Sequence, residues 1–338
     1  MKTLLPLLLV GCAPKVSLEV LQPADIYVAQ HVQQIAVVDR SRASSAGEAV
    51  LGALEAVVTG EDIGADRLGR SEAVSSVTNT LAASPRFEVV QVAVDEDSGL
   101  FADTLDWKTA RRLCPPATCQ GIVALEALDS DSSTDHTTRR ETKTDESGKE
   151  RSYMVHEVSR ETWVLTAWRF YDVEKKRMID DLRDYDARQT WSEEGATEAE
   201  ARGRLPSQTD AVRSVSRQSG VDYGRRIAPT YIWVSRAFYG RRDSTLSAAR
   251  PLVKSGNWDD AVAMWQPLLD SSDPTLRGKA LYNMALHAEV VGDLEAASSL
   301  ISEAASALPK GRVYRYQATI NQRIADQAAL REQLPGAQ

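Results

Sequence analysis

The chain has 338 residues, of which 43% are hydrophobic and 26% are charged, and its formal net charge at pH 7 is −8. Its length exceeds that of one usual domain and predicts two folded domains, with the composition of an ordinary globular protein. A sequence pI of about 5.2 argues against nucleic acid as a partner.

Residues 1–11 have the pattern of a signal peptide. Lys2 precedes an apolar run, 4–10, that is too short to span a bilayer. The run ends in the sequence Leu-Val-Gly-Cys, which resembles a bacterial lipobox and implies that Cys12 is lipidated and becomes the mature N-terminus. The alternative is an ordinary signal sequence followed by an incidental thiol.

Residues 12–15 form the expected lipidated tether. Acyl chains contribute about 0.8 kcal/mol per buried CH₂, so an acylated Cys12 holds a protein on a membrane without a transmembrane helix. Ala13 stands where an Asp would signal retention in the inner membrane. The resemblance therefore implies an anchor in the outer membrane, with the protein facing the periplasm.

The remaining cysteines, Cys114 and Cys119, are close in sequence. Export places them in an oxidising compartment, where a disulfide is the expected state. Closing this small loop contributes on the order of 2 kcal/mol in the chain-entropy model. A metal or redox site is the alternative, but no His or further Cys lies nearby in sequence and the spacing is not C-x-x-C.

Strands that alternate with helices predict a mixed α/β domain over residues 16–192, with a parallel or mixed sheet. The predicted strands are 16–20, 34–39, 87–92 and 121–125, and the predicted helices are 47–59, 70–83 and 106–113. After residue 137 the pattern changes to hairpins, so the sheet is expected to finish antiparallel. The predicted hairpin pairs are 137–143 with 150–159 and 162–171 with 177–191.

Residues 129–135 place side-chain oxygens at positions 1, 3, 5 and 7 of a calcium loop. An EF-hand needs Gly at position 6 and Glu at position 12, where this chain has Thr134 and Arg140. A solvated acidic turn is therefore favoured over a calcium site. The histidines are scattered singly and indicate no metal or general base: His31, His136, His156 and His287. No hydrolase, metalloprotease or nucleotide-binding motif is present, so neither an enzyme nor a cofactor is expected.

Residues 193–206 have the composition of a linker, and a helical domain is expected over 207–334. Four apolar residues between Ile227 and Phe238 follow a helical period, which predicts a long helix kinked at Pro229. A last helix, 313–334, is expected to cap the domain.

Two units of this domain, about 245–274 and 278–309, repeat one another. Paired residues recur at a spacing of 36: Gly256 with Gly292, Ala261 with Ala297, and Trp265 with Ile301. The pattern resembles a pair of tetratricopeptide (TPR) repeats, whose period is about 34 residues. Trp265 and Met284 are expected to pack between helices.

Blocks spread over most of the mature chain resemble an uncharacterised family of TPR-containing bacterial lipoproteins with an α/β domain ahead of the repeats. These blocks are Leu21-Gln-Pro-Ala-Asp-Ile26, Ile35-Ala-Val-Val-Asp-Arg-Ser41, Tyr223-Gly-Arg-Arg-Ile-Ala-Pro229 with Arg236-Ala-Phe-Tyr239, and Ala280-Leu-Tyr-Asn-Met-Ala285 with Gly292-Asp-Leu-Glu-Ala-Ala297. The α/β domain is similar in outline to the amino-terminal domain of TolB and to the curli-secretion lipoprotein. That likeness concerns the fold and carries no function or catalytic residue.

In TPR modules, helix residues that do not pack between repeats line a ligand groove. Here the corresponding positions are Lys279, Tyr282, Asn283, Leu286 and Glu289. A Lys, an Asn and a Tyr on one wall suit the backbone or carboxylate of a peptide. A merely solvated helix face explains the same pattern equally well. In either case Lys279, Tyr282 and Asn283 are expected to face outward.

These features together predict a lipid-anchored, non-enzymatic scaffold or adaptor whose partner is an envelope protein or peptide. The alternative is an oligomeric component of an export or envelope assembly machine, built through the α/β domain. Membrane-spanning hairpins are not expected, because the strand predicted over 177–191 carries four aspartates and has no continuous apolar face.

Overall fold

The computed structural model describes residues 13–41, 63–91, 104–114, 119–144 and 147–334. The predicted signal peptide, Cys12 and the helix predicted over 47–59 lie outside these residues. The chain divides into two compact units. The sheet unit is Ala24–Thr230, and the helical unit is Tyr231–Glu332 together with the N-terminal residues up to Pro23.

The first strand, β1 (Lys15–Gln22), belongs to the helical unit. The sheet unit contains five strands: β2 (Gln34–Asp39), β3 (Glu88–Gln91), β4 (Gly121–Thr144), β5 (Glu150–Asp172) and β6 (Arg177–Gly195). They form one sheet in the order β3-β2-β4-β5-β6. β2 pairs in parallel with β3 and β4, whereas β4, β5 and β6 pair antiparallel. The predicted mixed sheet with an antiparallel end is confirmed.

Helices cover both faces of this sheet. They are α1 (Ile63–Ala83), α2 (Trp107–Leu113), α3 (Glu198–Arg204) and α4 (Gln208–Ile227). Ile35 and Val37 of β2 share a core with α1 and α4. Ala36 and Val38, which point the other way, share a core with α2. The alternation of a strand buried on both faces thus positions two helical layers.

Helices α1 and α4 approach closely because small residues line their contact. A Cβ atom at Gly220 of α4 would lie 2.2 Å from the carbonyl oxygen of Ala73 in α1. One at Gly224 would lie 2.6 Å from the Thr80 side chain. Helix α4 therefore packs in the sheet unit. The prediction that the helical domain begins at residue 207 is wrong, because α4 does not belong to that domain.

Two expectations for the region around α4 are wrong. Residues 193–206 are not a linker, because β6 continues to Gly195 and α3 follows. The long kinked helix is absent from the described chain, because α4 ends at Ile227 and a strand, β7 (Thr230–Ala237), follows. Ala228 has extended φ and ψ angles of −138° and 139°. A residue before proline is restricted to such angles, so Pro229 ends the helix instead of kinking it.

The expected acidic turn is also wrong, because residues 129–135 lie within β4. Each of them pairs with β5, from Asp129 opposite Leu165 to Asp135 opposite Ser159. The predicted strands 121–125 and 137–143 are therefore parts of one long strand. An extended strand points alternate side chains to opposite faces and does not wrap them around an ion, so the calcium-loop geometry is lost as well.

The helical unit begins with a two-stranded sheet of β1 and β7. Its helices are α5 (Ser244–Ser255), α6 (Trp258–Trp265), a 3₁₀ helix (Gln266–Asp270), α7 (Pro274–Val290), α8 (Leu294–Ala307) and α9 (Gly311–Gln333). Trp265 is fully buried in the core of this unit, and Met284 packs against that core, as predicted. Leu18 and Val20 of β1 join the same core. A sheet-containing α/β region thus precedes an all-helical region, which consists of the helices α5 to α9.

The two helix pairs, α5 with α6 and α7 with α8, turn in the same way. Gly256 and Gly292 have φ angles of 81° and 83°, in the left-handed region that favours glycine. The residue after each glycine, Asn257 or Asp293, donates its amide to the carbonyl of the residue five positions earlier, at 2.9 Å in both cases. Among the described helices, none is both long and apolar enough to cross a bilayer.

Candidate functional site

The five positions predicted to line a groove lie on α7, and the expectation that Tyr282 and Asn283 face outward is wrong. Tyr282, Asn283, Leu286 and Glu289 are buried within the helical unit. Lys279 is half-buried. Four of the five side chains are therefore covered by other parts of the chain.

The cover is the end of β7 and the residues after it, 236–239, which we call the resident segment. The Asn283 side chain accepts a hydrogen bond from the Tyr239 amide at 2.8 Å and donates one to the Tyr239 carbonyl at 2.7 Å. The Tyr282 hydroxyl donates to the Ala237 carbonyl at 3.0 Å. Helix α7 thus holds an extended backbone through contacts that do not depend on the side chains of that backbone.

Side chains of the resident segment strengthen this contact. Phe238 is buried in the core of the helical unit. The Tyr239 ring packs edge-on against Tyr282, with centroids 5.1 Å apart. The Arg312 guanidinium, from α9, lies 4.2 Å from the Tyr239 centroid and 5.1 Å from the Tyr282 centroid. Cation–π contacts of this kind add to the hold on the segment.

Glu289 fixes the other end of the resident segment. Its carboxylate receives Arg236 Nη2 at 2.8 Å and Arg236 Nε at 3.0 Å. The Tyr316 hydroxyl, from α9, donates to it at 2.7 Å, and Arg323 Nε lies 3.9 Å away. Burial, together with the nearby Glu289 charge, raises the pKa of Tyr316 far above its usual value. Tyr316 therefore stays a neutral hydrogen-bond donor. The contacts of Glu289 thus join α7 to β7 and α9 and have a structural role.

The sheet unit contains a second buried carboxylate, Glu126, at an irregularity of β4 between Leu125 and Ala127. Arg40 Nη1 lies 2.6 Å from both of its oxygens, and the Tyr171 hydroxyl donates to it at 2.9 Å. Arg169 Nη1 lies 3.9 Å away. Burial raises the pKa of Glu126, although Arg40 and Tyr171 act against that shift. Burial and the same carboxylate raise the pKa of Tyr171 to about 12.

The two cysteines predicted to pair are bonded. Cys114 ends α2, Cys119 precedes β4, and their sulfur atoms are joined at 1.98 Å. Both lie in the core between α2 and the sheet, with Ala36 and Ile122. The disulfide thus anchors one end of α2 to the start of a central strand.

Two of the histidines that are scattered in sequence come together in the fold. His136 of β4 and His156 of β5 stack with ring centroids 5.2 Å apart, and their Nε2 and Nδ1 atoms are 3.0 Å apart. Glu198 of α3 lies 3.3 Å from His136 Nδ1. Within the described ranges, however, no group of three His, Cys, Asp or Glu side chains has metal-binding geometry.

Sequence reasoning predicted an open groove on this face of α7 and missed the segment of the chain that occupies it. Arg236, Tyr239 and Arg312 lie outside the repeat pattern from which the groove positions were counted. One signal was available in the sequence, because the residue before Pro229 is restricted to extended angles. In the structure, exposed and half-buried residues alternate from Tyr231 to Arg236, which is the period of a strand.

Two family models match the chain. The first, described as Domain of unknown function (DUF8603), matches residues 32–239. The second, described as Domain of unknown function (DUF6340), matches residues 247–322. No curated protein matches the chain. The first match spans more than half of the sequence and ends at the last residue of the resident segment.

Proposed function

The chain belongs to the family described as Domain of unknown function (DUF8603), and we propose that it acts as a non-enzymatic adaptor anchored in the outer membrane by lipid at Cys12. The observation that carries this proposal is the pair of hydrogen bonds between Asn283 and the backbone of Tyr239. They have the form of peptide recognition through the main chain. A surface built in this way suits protein binding better than chemistry.

The repeated helix pairs support a TPR-like module. Equivalent positions, 36 residues apart, have equivalent surroundings: Ala261 and Ala297 are fully buried, and so are Trp265 and Ile301. Together with the two left-handed glycines, this burial agrees with the TPR pattern and supports the proposal. TPR modules bind proteins, so the resemblance favours an envelope protein or peptide as the partner.

Because the resident segment contacts Tyr282, Asn283 and Glu289 and Leu286 is buried in the core, we place the partner contact at the rim of α7, where Lys279 is half-buried. A photo-crosslinking amino acid at position 279 should capture a specific envelope protein in intact cells. The matched control is the same amino acid at Glu303, an exposed position of α8. Capture from neither position above the background of an unrelated lipoprotein would contradict the adaptor proposal.

The anchor has its own test. Labelled palmitate should enter the wild-type protein and not Cys12→Ala, which should also leave the membrane fraction. Equal labelling of the two proteins would exclude lipid attachment at this cysteine.

One observation favours a second candidate, an oligomeric component of an envelope machine. β2 pairs with β4 only from Gly121 to Leu125. Beyond Leu125, the described part of the chain places a strand beside β4 on one side only, the side of β5. A long unpaired edge can pair with a strand of another copy. Light scattering during size-exclusion chromatography separates the candidates, since a ring or large oligomer supports the second one and a monomer contradicts it.

A further inference from the structure

The outer face of the sheet formed by β1 and β7 carries two exposed aromatic side chains. The Tyr231 side chain is 50% exposed and the Trp233 side chain is 72% exposed. The opposite face, with Leu18, Val20 and the half-buried Ile232, packs on the helical core. Large aromatic groups on an otherwise polar face commonly mark a surface that contacts another body.

The start of β1 lies beside the end of β7. The Phe238 amide donates to the Pro14 carbonyl at 3.0 Å, and a Cβ atom at Gly240 would lie 3.2 Å from the Pro14 ring. The chain therefore leaves the sheet toward Cys12 at this end. Only Ala13 and Pro14 separate Cys12 from Lys15, a reach of at most about 11 Å in an extended chain.

Three exposed cations are close to this exit point in the chain. Lys15 begins β1, and Arg241 and Arg242 directly follow Gly240. No ion pair or side-chain hydrogen bond joins any of them to a described residue. Residues of β1 alternate between the two faces of the sheet, and because Leu18 and Val20 are buried, Lys15 and Glu19 lie on the outer face. Beside these cations, the outer face of β1 thus carries one carboxylate, Glu19, in a chain whose net charge is −8.

We propose that this outer face lies on an anionic phospholipid bilayer, with Trp233 and Tyr231 in the headgroup region and Lys15, Arg241 and Arg242 against the phosphates. Trp and Tyr favour the membrane interface because one end of each ring system is apolar and the other is polar. Basic residues near the surface are attracted to anionic lipids. The inference rests on the proposed anchor at Cys12, because the short tether brings this face to the bilayer.

The test uses the lipidated full chain in vesicles of phosphatidylethanolamine and phosphatidylglycerol whose acyl chains carry bromine, which quenches tryptophan emission on contact. Trp233→Phe gives, by subtraction, the emission of Trp233 alone. That emission should be largely lost in brominated vesicles and should lie at shorter wavelength than in detergent. The exposure of Trp233 makes the variant harmless to the fold, which circular dichroism checks.

Two controls keep the test specific. In the Trp233→Phe background, Glu303→Trp places an exposed tryptophan on α8 of the same unit, and its emission should not be quenched. The triple variant Lys15→Glu, Arg241→Glu, Arg242→Glu should reduce the quenching of Trp233. Unchanged quenching in the triple variant, or equal quenching at position 303, would contradict the inference.

Palmitate labelling of the same samples separates this inference from the proposed anchor. If Cys12 is labelled and Trp233 stays unquenched, the anchor stands and the bilayer contact is wrong, as it would be if a protein covered this face. If Cys12 carries no lipid, the anchor is wrong and the bilayer contact loses its basis.

Discussion

Each unit of the molecule contains one buried glutamate surrounded by two arginines and a tyrosine hydroxyl. In the sheet unit Glu126 meets Arg40, Arg169 and Tyr171. In the helical unit Glu289 meets a corresponding set: Arg236, Arg323 and Tyr316. The two sets share their chemistry and differ in the elements that they join.

The Glu126 set joins β4 to β5 and to the residue after β2, strands whose backbones are already paired. The Glu289 set joins α7 to β7 and α9, between which the described chain has no ladder of backbone hydrogen bonds. The same buried ion pair therefore reinforces an existing sheet in one unit and positions separate elements in the other. The resident segment pairs with β1 through its backbone, but its contact with α7 and α9 depends on side chains, whereas β4 is joined to both of its neighbouring strands by backbone pairing.

The largest expected effects come from breaking these two sets. Glu126→Gln and Glu289→Gln should each reduce the free energy of unfolding by about 3–5 kcal/mol, because each removes a buried carboxylate charge that faces two arginines. Glu303→Gln, at an exposed position, should change it by no more than about 0.5 kcal/mol.

Amide exchange distinguishes the two glutamate variants. In Glu126→Gln the backbone pairing of β4 with β5 should survive. In Glu289→Gln the resident segment should lose protection before α7 does. Equal loss of protection in the paired strands and in the resident segment would remove the distinction between the two sets.

Asn283→Ala tests the backbone contact alone. It should cost about 1–3 kcal/mol, because the Tyr239 amide and carbonyl lose their partners. Arg277→Ala, an exposed position on the same helix, is the matched control and should be close to neutral. If thermal or denaturant unfolding gave the same value for both variants, Asn283 would be a surface residue after all.

The disulfide between Cys114 and Cys119 provides a further test in the sheet unit. Thiol alkylation of unreduced, denatured protein from the periplasm should modify neither Cys114 nor Cys119. Reduction should cost on the order of 2 kcal/mol, and the loosening should be confined to α2 and the start of β4. Two free thiols in the unreduced protein would contradict the pairing.

Local patterns in the sequence predicted most of the elements. The strand predicted over 34–39 matches β2, and the helix predicted over 106–113 matches α2 with Asp106 as its N-cap. Buried strands and capped helices are set largely by residues that are neighbours in the chain, so the local sequence predicts them. The local sequence does not predict strands made of polar residues. Residues 129–135 resemble a turn in composition and become a strand because β5 pairs with them.

The site was harder to predict because distant residues build it. Tyr231 and Val234 are spaced as on one face of a helix, although aromatic and β-branched residues are also common in strands. Only the restriction of the residue before Pro229 to extended angles argues against a continuous helix. The positions on α7 were predicted to line a groove for a partner, and in the structure Tyr282, Asn283 and Glu289 bind a segment of the same chain. That the peptide is the chain's own segment, 44 residues before Asn283, depends on the tertiary fold and has no local signature.

The central claim is that α7 holds a segment of its own chain at the positions where the resemblance to TPR repeats predicted an open groove. Amide exchange at Tyr239 tests it most directly, in the wild type and in Asn283→Ala. The account predicts slow exchange of this amide in the wild type, a clear acceleration in Asn283→Ala and no change in Arg277→Ala. Exchange at the rate of an unstructured chain in the wild type would contradict the claim. It would mean that this face of α7 is open and can bind an external ligand.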